Sequence, residues 1–202
     1  DTFVVSSCGE AAVSGVSLVN QFNTIFIYLF TALASGGAIV VSQYIGNKDE
    51  KRTILSSSQL LMFSIVFSII LSILVLIFNK QLLGLLFGKV ESDVMKACVT
   101  YLRISAYSYP ALAIYNAGAA LYRSMAKTKV TMYISFAANI INVVGNIIGV
   151  YVLKAGVAGV AYPSLISRVF SAIIINVLIK NWKLTMIQKI FLDLMERCSN
   201  VF

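Results

Sequence analysis

Val130–Val152 reads VTMYISFAANIINVVGNIIGVYV. No charge interrupts it. Wound as an α-helix, it extends roughly 35 Å, enough to cross a hydrocarbon core about 30 Å thick. Ser135, Asn139, Asn142, Asn146 and Gly149 recur in steps of four, three, four and three, so they share one helix face. An asparagine amide turned to lipid leaves donors and acceptors unpaired. The stripe must therefore face protein, water or an ion.

Comparable apolar blocks lie on either side. The spacing predicts spans over Leu18–Ile45, Ile54–Phe78, Ala97–Tyr122 and Val157–Ile179, and residues 1–7 read as the end of an earlier helix. The fold class expected is all-α integral membrane, with about five and a half transmembrane helices. Composition agrees: of 202 residues, 59% are hydrophobic and only 12% charged, against about 25% charged in a soluble domain. The lipid bilayer is the first partner.

The net charge of +8 does not point to nucleic acid. The basic residues sit in short loops, with no basic helix face. Loop 46–53 carries Lys48, Lys51 and Arg52, loop 123–129 carries Arg123, Lys127 and Lys129, and Lys180, Lys183 and Lys189 follow the last span. These three segments share one side by parity. The opposite side is poorer in Lys and Arg, so the first group should be cytoplasmic in a multi-pass protein of the cell (plasma) membrane. Residues 1–180 form the membrane unit. In 181–202, Leu184, Ile187, Phe191, Leu194 and Met195 recur among charges, as in a cytoplasmic amphipathic surface helix or an inter-lobe linker.

Other spans carry polar faces too. Asn20, Thr24, Tyr28, Thr31 and Ser35 mark one, and Ser164, Ser167, Arg168 and Ser171 another. Together with Asn139 they suggest a bundle around a wet cavity lined by Asn20, Thr24, Tyr28, Asn139 and Arg168. Ser64, Ser68 and Ser72 read instead as small residues that let helices pack closely. Arg168 is an intramembrane charge, either functional or a structural ion-pair partner. Pro110 and Pro163 each remove a backbone hydrogen bond within a span.

No GxSxG, HExxH or P-loop motif occurs, and histidine is absent. Cys8, Cys98 and Cys198 lack metal-ligand spacing. The expectation is a non-enzyme with no resident cofactor. Any transport would draw on an ion gradient.

Several segments, in order, resemble the multidrug and toxic compound extrusion (MATE) antiporters. They are Asp1-Thr2-Phe3-Val4-Val5 with Gly9, Val41-Ser42-Gln43-Tyr44-Ile45-Gly46, and Tyr101-Leu102-Arg103-Ile104. The basic turn Tyr122–Lys129, Asn142-Val143-Val144-Gly145-Asn146, and Gly156–Ala161 with Ser167-Arg168 complete the set. The resemblance implies one six-helix lobe, the N-terminal one, of a twelve-helix transporter. It also implies a truncated first helix, a missing C-terminal lobe, and a chain inactive alone.

By that resemblance the parent exchanges Na⁺ or H⁺ for small organic, often cationic, drugs or toxins. The cation-coupling site falls on Asp1, Asn142, Asn146 and Ser164, with Asp1, Asn142 and Asn146 as possible Na⁺ ligands. A carboxylate beside amide oxygens can hold Na⁺ through hard ligands or a proton through a desolvation-raised pKa. Two alternatives stand beside it. One is a lipid-linked oligosaccharide flippase of the same superfamily, which the single cavity arginine disfavours. The other is a structural membrane subunit that transports nothing, with its asparagine stripe packed dry.

Overall fold

The computed structural model describes residues 10–87, 91–153 and 155–199, with side chains followed as far as Trp182. Asp1 and the rest of the first-helix segment, as well as the side chains of the amphipathic tail, lie outside the described residues.

Six α-helices make up the described chain: α1 Glu10–Gly46, α2 Glu50–Phe87, α3 Ser92–Tyr107, α4 Tyr109–Ser124, α5 Thr128–Ile147 and α6 Ala158–Ser199. A π-helical turn, Ile148–Val152, extends α5. Four stretches are long and apolar enough to cross a membrane: Ala12–Gly46, Glu50–Leu85, Thr128–Val152 and Ala158–Trp182.

The boundaries differ from expectation where helix continues past the apolar block. α1 starts at Glu10, inside the segment expected to be a loop. α2 runs through Phe78, where its span was expected to end, and bends there (φ −99°, ψ 16°) before continuing to Phe87. α6 continues past Ile179 without a break into the tail.

The span expected over Ala97–Tyr122 is two helices. α3 ends at Tyr107 and α4 starts at Tyr109, with Ser108 between them. Pro110 sets the break, because it has no N–H to offer the Ala106 carbonyl one turn earlier. Ser72 Oγ on α2 donates to that carbonyl at 2.7 Å instead. A third helix thus meets part of the hydrogen-bond deficit at the break, as backbone in lipid requires.

The packing is inverted relative to a soluble bundle. α2 buries Ser57, Ser64, Ser68 and Ser72, while Met62 is 69% exposed and Ile77 66% exposed. Burying hydroxyls and exposing large aliphatics makes sense only if lipid, not water, surrounds the helix. The inner residues form two clusters. Phe22, Phe26, Phe30, Leu102 and Tyr109 anchor one, with the Phe26 and Tyr109 rings 4.8 Å apart. Ala34, Leu60, Ala117, Leu121 and Ile175 anchor the other.

α5 and α6 approach closely through small residues. A Cβ on Gly149 would lie 2.1 Å from the Gly159 carbonyl oxygen, and one on Gly145 would lie 2.6 Å from Pro163 Cβ. Only glycine fits at Gly149, and the two backbones meet there.

Candidate functional site

The asparagine stripe of α5 lies along α6 and changes character with depth. At its base, Gly149 touches Gly159. One turn up, Asn146 is 2% exposed and its Nδ2 donates to Asn142 Oδ1 at 3.1 Å. Asn142 Nδ2 in turn donates to Ser164 Oγ on α6 at 2.9 Å. Above these, Asn139 is exposed, and Ser135 hydrogen-bonds Tyr115 of α4. The lower half of the stripe holds helices together, and the upper half opens into a cavity.

That cavity has a volume of about 320 Å³, and Ser135, Asn139 and Asn142 of α5, Tyr115 of α4, and Ser164 and Arg168 of α6 contribute to its wall. Its size is at the lower end of the range of small-molecule sites. Arg168 Nη1 donates to Ser108 Oγ at 2.6 Å, and Ser108 Oγ donates to the Ser105 carbonyl at 2.6 Å. The guanidinium is therefore fixed to the α3–α4 break.

Of the residues expected to couple a cation, Asn142, Asn146 and Ser164 are joined in one hydrogen-bonded chain. Asp1 lies outside the described residues. Of the five residues expected to line a cavity, Asn139 and Arg168 do so. Asn20, Thr24 and Tyr28 do not contribute to this wall. Thr24 is exposed and bonded to the Asn20 carbonyl at 2.8 Å, and Tyr28 is 70% exposed. Asn20 turns inward, where its Oδ1 accepts from Tyr101 Oη at 3.0 Å. The steps along α1 placed these residues on one face, yet the structure turns Asn20 inward and leaves Thr24 and Tyr28 exposed.

A second polar cluster lies beneath, and the stripe pattern did not single it out. Asn23 is 3% exposed. Its Oδ1 accepts from Tyr109 Oη at 2.8 Å and its Nδ2 donates to Ser105 Oγ at 3.2 Å. Asn23 stands three residues after Asn20, which was the available signal. Tyr101, Ser105 and Tyr109 carried none, because their polar ends cap otherwise apolar positions.

The MatE family matches residues 1–148. The chain belongs to the MATE family. The "Uncharacterized transporter YisQ" of Bacillus subtilis (strain 168) is 26% identical over 183 residues, 89% of this chain and 40% of its own length. The "Probable multidrug resistance protein YoeA" of the same organism is 26% identical over 180 residues, 85% of this chain and 38% of its own. "Protein DETOXIFICATION 43" of Arabidopsis thaliana is 31% identical over 134 residues, 66% of this chain and 25% of its own. The chain thus spans about two-fifths of the length of the two bacterial relatives.

Solved MATE structures share the fold. One in the bent conformation superposes with a TM-score of 0.82 at 21% identity, covering 86% of this chain and 38% of that one. An inward-facing multidrug resistance MATE transporter gives 0.82 at 21% identity, over 87% of this chain and 39% of that one. The all-α membrane chain described here is one MATE lobe, the N-terminal one.

Proposed function

We propose that this chain is the N-terminal lobe of a secondary active antiporter that exports organic, often cationic, compounds against an inward flow of Na⁺ or H⁺. The observation that carries the reading is the hydrogen-bonded chain Asn146–Asn142–Ser164 at the foot of a polar cavity. Three neutral oxygen-bearing side chains meet there inside a membrane helix pair. Such groups suit a hard cation once a carboxylate supplies the charge, and Asp1 is the carboxylate assigned to that task. The same charge would attract an organic cation or hold a proton. Competition between ion and drug for it would couple the two flows through the access state that each favours.

The second lobe completes the transport path in this reading, and loops 46–53 and 123–129 face the cytoplasm. The multidrug name of one bacterial relative supports the substrate class. The test is dye efflux from vesicles bearing the complete transporter, under a Na⁺ gradient and then a proton gradient. Efflux that follows one gradient and stops when it is collapsed supports antiport. Efflux indifferent to both, or no efflux of any organic cation, overturns it.

A further inference from the structure

The wall of the cavity that faces Asn139 and Asn142 contains one charged side chain among the described residues, the cation Arg168. Arg168 lies near the middle of the membrane span Ala158–Trp182, and its only hydrogen bond among the described residues is the one to Ser108. The described ion pairs, Arg52–Asp49 and Lys96–Asp93, are at the helix ends and do not involve it. A guanidinium has five N–H donors in a planar fork. One is used to hold the side chain to the α3–α4 break, which leaves the rest of the fork for the cavity it lines. A guanidinium with no carboxylate partner among the described residues is costly within a membrane helix, and such charges are kept where they meet a ligand or an ion path.

Around it the wall is built from neutral donors and acceptors: the hydroxyls of Ser135 and Ser164 and the amides of Asn139 and Asn142. A planar fork flanked by hydroxyls and amides matches a carboxylate, which accepts two parallel N–H bonds from arginine and further bonds from neighbouring donors. A lysine-like point charge would select less by shape. Arg168 itself would repel a purely cationic ligand, which only the carboxylate proposed at the foot of the cavity would draw in.

We propose that the cavity between α4, α5 and α6 binds the carboxylate of an organic anion or zwitterion, with Arg168 as the group that pairs with it. The assignment rests on the transport reading and narrows its substrate class. A compound with an amine at one end still qualifies as an exported cation, provided that a carboxylate at the other end reaches Arg168. The Asn142–Asn146 chain lies deeper, so the coupling ion and the carboxylate would occupy adjacent positions.

The test compares dansylglycine, a carboxylate, with its methyl ester, which has the same dye and no charge. Binding to the complete transporter in nanodiscs is followed by dansyl fluorescence, and gradient-driven movement is measured in vesicles. The expected result is at least ten-fold tighter binding of the acid than of the ester. Arg168→Gln should erase that preference, and Arg168→Lys should keep part of it. A merely structural Arg168 would weaken both ligands alike. Equal binding of acid and ester, an acid preference that survives in Arg168→Gln, or no binding of either compound overturns the assignment. If Arg168→Gln does not fold, the wild-type ratio of acid to ester decides. Movement of both compounds at equal rates leaves antiport standing and removes the carboxylate assignment. Acid-selective binding with no gradient-driven movement does the reverse.

Discussion

Asn142 on α5 donates to Ser164 on α6 at 2.9 Å, and the same Asn142 accepts from Asn146 one turn deeper at 3.1 Å. Two helices are thus joined at the site where we propose that a cation binds, so packing and the proposed coupling would draw on the same groups. Ser164→Thr keeps the hydroxyl and should keep ion-driven efflux near the wild-type rate. Ser164→Ala should slow it about ten-fold, equivalent to about 1.4 kcal/mol, with expression unchanged. Initial efflux rates in vesicles check both.

The Ser72–Ala106 bond makes a separate prediction about stability. Ser72→Ala leaves the Ala106 carbonyl without its partner from α2. The cost should be about 0.6 to 2 kcal/mol, the range of interhelical hydrogen bonds in membranes. Pro110→Ala restores an N–H that can reach Ala106 if the break closes, so the double variant should recover part of the loss. Thermal unfolding in detergent gives the coupling between the two positions.

Close packing at Gly149 predicts a position-specific glycine effect. Gly149→Ala drives a methyl group against the Gly159 carbonyl, and the α5–α6 pair must separate. Loss of folded protein in the membrane is expected. Gly84→Ala on α2 meets nothing within 4 Å and should be neutral or gain up to about 1 kcal/mol from helix propensity. Size-exclusion profiles of the two variants separate a packing effect from a general glycine effect.

Asn23 should behave as a structural amide. Asn23→Ala strands the buried Tyr109 hydroxyl and should lower the unfolding temperature. Adding Tyr109→Phe removes the stranded hydroxyl and should return part of the loss. Transport per folded molecule should change less than with Ser164→Ala.

Much of this architecture was legible before the structure was known. The blocks at Leu18, Val130 and Val157 marked helices because lipid selects long apolar runs. The stripe Asn139–Asn142–Asn146 marked the α5 face because amides are costly to leave unpaired. What stayed hidden depended on partners distant in sequence. The interruption at Ser108 needs Pro110, but its repair needs Ser72 on another helix. Asn23 and Asn20 are three residues apart and turn inward to different tyrosines, Tyr109 and Tyr101. Tyr28 shows the limit of periodicity: the steps place it with Asn20 on one face of α1, yet Asn20 turns inward to Tyr101 while Tyr28 is 70% exposed. Apolar length likewise placed the end of α2 at Phe78, where the helix bends and continues.

The central proposal is that the complete transporter moves an organic solute at the expense of an ion gradient, with the ion bound at Asn142, Asn146 and Ser164 of this lobe. The most direct measurement is dye efflux from vesicles bearing the complete transporter, wild type beside Asn142→Leu, under an imposed Na⁺ or proton gradient. Rapid wild-type efflux with one of the two ions, reduced to the leak rate in a folded Asn142→Leu, is the predicted result. Gradient-driven efflux that persists unchanged in Asn142→Leu would contradict it.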